Sequence, residues 1–226
     1  MKKELMTYFF TPIAYIVITV FLAMTGFFFF KDFFYFSQAE MRAFFQFLPL
    51  VLTLVVPAVT MRLFAEEIHS GTIENLMTLP VTTGKVVTGK FLAATAFVSI
   101  MIAPTLFYLV TILFVGSPDP GPVIGGYLGA VLLAGAYSAV GILASSLGKN
   151  QIVAFIIGLS ACFFLWIIDK VTVFLPAGLG FVEYLGTDYH FRNISRGVID
   201  SRDLVYFASI IVISILLTVK ILDERR

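Results

Sequence analysis

Two histidines, one cysteine and one glycine–lysine motif are the residues of this sequence whose types could do chemistry. His69 and His190 stand far apart in the chain, and neither belongs to an HExxH zinc pattern. The sequence also has no GxSxG nucleophile motif and no pair of aspartates within an apolar run. Cys162 lies inside such a run, where a thiol acts as a small packing residue. A single cysteine excludes a disulfide framework and a cysteine-based zinc site. The stretch Gly84–Lys90 spells GxxxxGK, most of a phosphate-binding loop. Phe91 follows where a magnesium-binding hydroxyl is required, and no strand precedes it, so no nucleotide site is expected. Lys85 and Lys90 read instead as interfacial anchors for a membrane span. These residues do not make an enzyme, and the chain is not expected to be one.

The elements that must position them are dictated by composition. Of 226 residues, 59% are hydrophobic and 13% charged, with 25 phenylalanines. Soluble domains are about 45–50% apolar and about 25% charged. A soluble chain of this size cannot hide so much apolar surface in its core. A soluble enzyme, a disordered chain and a nucleic-acid-binding domain are thereby excluded, and the net charge of +1 implies no polyionic partner. The class is an all-α polytopic membrane protein.

A helix needs about 20 apolar residues to cross a bilayer. Six stretches qualify: Pro12–Phe30, Phe44–Phe64, Phe91–Val115, Pro122–Leu147, Gln151–Ile168 and Leu204–Leu222. With both termini on one side, that side holds nine Lys and Arg residues and the other six. The bias puts both termini in the cytoplasm. Leu5, Met6, Phe9 and Phe10 recur at helical spacing opposite Lys2, Lys3 and Glu4, as in a short N-terminal helix lying in the interface before Pro12 opens the first span. No stretch reads as a soluble domain, and residues 1–226 are expected to form a single transmembrane domain.

Inside the membrane, Gly126, Ala130, Ala134 and Ser138 fall at steps of four, a ladder that lets helix backbones approach closely. It suits a seam with a second subunit or a translocation wall, and equally suits packing within one subunit. Pro49 and Pro57 are expected to interrupt the second span, and Pro104 the third. Ionisable residues sit only near span ends or in loops, so no proton relay, voltage sensor or sodium site is expected. Energy for uphill transport must then come from elsewhere.

The loop between the second and third spans carries more information. Gly71 breaks a helix, Ser70 or Thr72 can cap a new one, and Pro80 stops it. Ile73, Leu76 and Met77 share one face of that new helix, an apolar face suited to docking on a partner. Here the segment MRLFAEEIHSGTIENLMTLPVTTGKVVTGK resembles the cytoplasmic loop of ABC-2 type transporter permeases. The resemblance extends to YSAVGILASSLGKNQIVAFIIG in the fourth and fifth spans and is closest to the gliding-motility-associated permease type. His69 stands where many such relatives carry Lys or Arg.

What the resemblance implies is specific. Glu66, Glu67, Gly71, Thr72 and Glu74, with the Ile73, Leu76 and Met77 face, would couple the chain to an ATPase. Two separate ABC ATPase subunits would carry ATP and Mg, with no cofactor in this chain. A second permease copy would complete the assembly, with an accessory membrane or periplasmic subunit as an optional partner. The location implied is the bacterial cytoplasmic (inner) membrane.

The segment between Asp169 and Asp203 contains apolar runs too short to span, Val171–Leu175 and Leu179–Leu185. They can dip into the outer half of the bilayer as a re-entrant segment before the sixth span, as in ABC-2 relatives. His190, Arg192, Arg196 and Arg202 would then lie near the outer mouth, facing an anionic substrate, an accessory subunit or lipid headgroups. The leading reading is the membrane subunit of an ATP-driven exporter. The alternative is an autonomous channel or secondary carrier without an ATPase.

Overall fold

Three helices begin on side chains that answer their unpaired backbone N–H groups. Asp119 accepts from the N–H of Gly121 at 3.1 Å, Asn150 from Val153 at 2.9 Å and Asp200 from Arg202 at 2.9 Å. Pro120, next to the first of these caps, occupies the first helical position, where its missing N–H costs nothing. Such local signals, with long apolar runs between them, produce the computed structural model of the chain. It describes residues 8–36, 40–73, 81–116, 118–172 and 177–224.

Among the described residues the structure is all-helical, with no strand. In chain order the helices are α1 (Pro12–Phe36), α2 (Arg42–Thr60), α3 (Arg62–His69), α4 (Thr83–Ile102) and α5 (Leu106–Val115). They continue with α6 (Pro120–Leu147), α7 (Gln151–Val171), α8 (Thr187–Ser195) and α9 (Ser201–Asp223). Six segments are long and apolar enough to cross a membrane: α1, α2 with α3, α4 with α5, α6, α7 and α9. Residues 8–10 are helical, Thr11 bends the chain, and Pro12 opens α1 as expected. The rest of the expected interfacial helix, with Leu5 and Met6, lies outside the described residues.

The third span begins at Thr83, eight residues before the expected Phe91. Thr83 to Lys90 are more polar than the residues that follow, and their backbone belongs to the same helix. This also settles the GxxxxGK motif, which is helical along its whole length rather than a loop around a phosphate. Pro104 does interrupt its span, in a short 3-10 turn over Ala103–Thr105 between α4 and α5.

The hub of the bundle is α6, which touches α2, α3, α4, α7, α8 and α9. Its small residues make this contact possible. A Cβ on Gly126 would run into the ring of Phe45, and one on Gly141 into the side chain of Thr60. Around α6 the core is largely aromatic, with Phe21, Phe29, Phe44, Phe97 and Phe191 almost fully buried. Phe29 of α1 stacks on Tyr108 of α5 with ring centroids 4.9 Å apart. Tyr137 of α6 is fully buried, and its hydroxyl is satisfied by Thr187 at 2.9 Å and Thr53 at 3.4 Å.

The ladder Gly126, Ala130, Ala134 and Ser138 lies on this buried face. The two alanines and Ser138 have no exposed surface, and Gly126 faces Phe45. Within this chain the ladder serves the packing of α6 on its neighbours. The wider exposed apolar surfaces belong to outer spans, for example Phe107 and Phe114 of α5 and Leu216 of α9.

Candidate functional site

The bundle has two polar ends. One carries α3, the start of α4 and the end of α9; the other carries α8 and the starts of α2, α6 and α9.

At the α3 end, α2 passes through Pro49 and Pro57 without a break and stops only at Met61. The expected interruption at those prolines is therefore corrected. The break falls where Ser145 of α6 enters the hydrogen-bond ladder. Its hydroxyl accepts from the N–H of Phe64 at 2.9 Å and of Ala65 at 3.0 Å, and donates to the Met61 carbonyl at 2.8 Å. In an unbroken helix those N–H groups would bond the carbonyls of Thr60 and Met61. A side chain inserted at this point turns the helix while leaving no buried donor unpaired.

Lys90 of α4 then holds α3 from the other side. Its ammonium donates to the Leu63 carbonyl at 2.7 Å and to the Glu67 carboxylate at 2.6 Å, and lies 5.0 Å from the centre of the Phe64 ring. The lysine side chain is 4% exposed and the glutamate 27%. Such a position is viable because a carboxylate, a carbonyl and an aromatic face all meet the charge. Lys90 is therefore a buried clamp on α3, not the interfacial anchor expected from sequence. Glu67, expected at an ATPase contact, is held within its own chain. Glu66 faces outward and pairs with Arg62 at 3.3 Å.

Gly71 ends α3 in the left-handed conformation, φ +70°, which favours glycine. Thr72 is exposed, and its hydroxyl lies 2.8 Å from that of Ser70. Ile73 is half-buried against a cluster of Leu63, Phe64, Val87 and Leu222. Glu74, Leu76 and Met77 lie outside the described residues. A cavity of about 260 Å³ opens beside the clamp, lined by Tyr8, Thr11, Arg62, Glu66, Glu67 and Lys90 among others.

At the α8 end the charges form a closed ring. Asp169 of α7 meets Arg192 at 2.6 Å and Lys170 at 3.4 Å. Asp188 of α8 meets Lys170 at 2.8 Å and Arg192 at 3.3 Å. The Lys170 ammonium also lies 4.0 Å from the centre of the Trp166 ring. Beside this ring His190 is buried, with Nδ1 2.5 Å from an Asp203 oxygen and Nε2 2.9 Å from the Tyr184 carbonyl. A carbonyl only accepts, so Nε2 carries a proton and neither nitrogen is left for a base or a metal. His190 and Arg192 thus serve the fold first, whereas Arg196 and Arg202 are exposed.

A family model for the ABC-2 family transporter protein matches residues 31–179, more than half of the chain. The chain belongs to the ABC-2 transporter family. None of the curated proteins compared with it matches. This ABC-2 protein is a multi-pass membrane protein, and its family supplies the membrane component of transporters. The matched stretch takes in α2 to α7, including Glu67, Lys90 and Ser145 of the α3 end. It stops before α8, so Asp188, His190, Arg192 and Asp203 lie beyond it.

Reasoning from sequence misassigned Lys90 and missed the roles of Ser145 and the aspartates Asp169, Asp188 and Asp203. One signal was available. Asp169-Lys170 closes an apolar run, where an adjacent acid and base mark a span end with partners nearby. Nothing comparable marks Ser145, which is one small residue among many in α6.

Proposed function

We propose that this ABC-2 protein is the permease subunit of an ATP-driven exporter, moved by separate ATPase subunits that bind ATP and Mg. The observation that carries this reading is the double attachment of α3. It is fastened to α6 through Ser145 and to α4 through Lys90. A push on Thr72 and the residues that follow it, through the expected coupling helix with its Glu74, Leu76 and Met77, would reach α3 across Gly71. From α3 it would pass to two spans at once, tilting them against α2 and α7.

In this reading residues 1–226 are one transmembrane domain in a bacterial cytoplasmic membrane, with both termini and the α3 end inside. The segment before α9 is re-entrant from the outer side. Two ATPase copies serve two permease copies, which meet through exposed apolar surfaces such as Phe107 and Phe114 of α5. The gliding-motility-associated type is the kind of exporter the loop sequence suggests.

Co-purification tests the reading. The chain is expected to bring down an ATPase encoded beside it, and Leu76→Asp to release that ATPase. Glu74→Gln should keep the complex and reduce transport-stimulated ATP hydrolysis. Full retention and stimulation with Leu76→Asp would remove the loop as the coupling element and favour a channel or carrier. Cysteine labelling of Thr83→Cys and Ser195→Cys from opposite sides of the membrane checks the orientation.

A further inference from the structure

The α8 end contains a second cavity, of about 440 Å³, that the transport reading does not use. Three arginines line it: Arg42 at the start of α2, Arg192 on α8 and Arg196 just after its end. Gln46 and Ser195 add neutral hydrogen-bonding groups, and Phe45 and Pro122 an apolar wall. We propose that this cavity binds a phosphate-bearing anion, with an anionic phospholipid as its best-fitting carrier.

The charge balance favours an anion. Among the described residues no carboxylate lines the cavity. Asp169 and Asp188 lie behind Arg192, with side chains 0% and 8% exposed, and are matched by Lys170 and Arg192. They engage Nε and Nη2 of Arg192, leaving Nη1 outside these pairs. Among the described residues Arg196 meets no carboxylate. Arg42 meets only the exposed Glu40 among the described residues, at 3.9 Å, a contact of little worth in water.

Arg192 is also held in place, by Asp169 and Asp188. Arg192 and Arg196 are one helical turn apart and face the same way. The end of α8 is fixed by close packing on α6, where a Cβ on Gly125 would collide with the Ile194 carbonyl. Fixed guanidinium groups match phosphate oxygens two at a time, which lysines do not. A volume of 300–1,000 Å³ is usual for small-molecule sites. The cavity also lies where α2 and α6 begin, the level at which lipid headgroups meet a span, and Phe45 with Pro122 offers contact to a glycerol or acyl portion.

The test uses the full chain in a neutral detergent, without any ATPase, so it stands whether or not the exporter reading does. Binding of dihexanoylphosphatidylglycerol, dihexanoylphosphatidylcholine and inorganic phosphate is measured by calorimetry, with the ligand-free Tm as a folding control. Phosphatidylglycerol is expected to bind about tenfold more tightly than phosphatidylcholine. Arg42→Gln and Arg196→Gln should each weaken it about tenfold, as loss of one charge-assisted contact implies. Arg202→Gln, exposed at the same end but outside the cavity, should bind like the parent. If inorganic phosphate binds as tightly as phosphatidylglycerol, the anion site stands and its source is a free anion. The proposal is overturned if no probe binds, if both cavity variants bind like the parent, or if Arg202→Gln loses as much as they do.

Discussion

The two ends of the bundle solve the same problem in opposite senses. At the α3 end the cation is inside: Lys90 is 4% exposed and its partner Glu67 27%. At the α8 end the anions are inside, with Asp169 0% exposed and Arg192 43%. Within these pairs the member that looks outward is the acid Glu67 at the first end and the base Arg192 at the second. A buried charge must be paired, but the fold chooses which member of the pair looks outward.

The ends differ too in how their pairs are shared. Lys170 and Arg192 each touch both Asp169 and Asp188, so loss of one cation leaves neither carboxylate alone. Lys90 instead concentrates a carboxylate, a carbonyl and a ring on one ammonium. The largest expected effect is accordingly at Lys90. Lys90→Met should lower stability by about 3 kcal/mol or more, read from denaturant titration in micelles. Lys170→Met should lose about 1 kcal/mol or less, because its side chain is partly exposed and Arg192 remains. Equal losses at the two ends would break the comparison.

Next in size is Ser145→Ala, which strands two buried N–H groups and a carbonyl. A loss of about 1–3 kcal/mol is expected, with faster hydrogen exchange at Phe64 and Ala65 than elsewhere in the second span. Unchanged exchange at those two amides would mean that Ser145 does not hold the break. An effect as small as that of Lys170→Met is expected from Arg192→Gln, about 1 kcal/mol, and it should shrink as salt is raised. Little salt dependence is expected for Lys90→Met. A salt response equal to that of Arg192→Gln would place both pairs in contact with solvent.

Much of the bundle was legible because hydropathy and capping are local. Gln151 starts α7 as expected, because Asn150 caps it and apolar residues follow at once. Gly71 reads as a helix end because few other residues adopt its backbone conformation. The small-residue ladder was legible as a close contact, but its partner was not. Spacing of four says that two backbones approach and is silent on whether they belong to one chain or two. Pro57 misled for a related reason. A proline removes one donor, yet α2 tolerates it, and the turn came from a serine 84 residues beyond Met61.

The sequence by itself determined that the chain is a membrane bundle of six spans, where those spans lie, and that its loop resembles that of ABC-2 permeases. These properties depend on runs of neighbouring residues, and neighbours in sequence are what a sequence displays. Only the tertiary structure decided that Lys90 is buried on Glu67, that His190 has both nitrogens engaged, and that three arginines share a cavity. Glu67 and Lys90 are 23 residues apart, and Asp169 and Arg192 also 23. No periodicity links such pairs. They meet because helices of fixed length run back and forth around α6, and the burial of each charge follows from that packing.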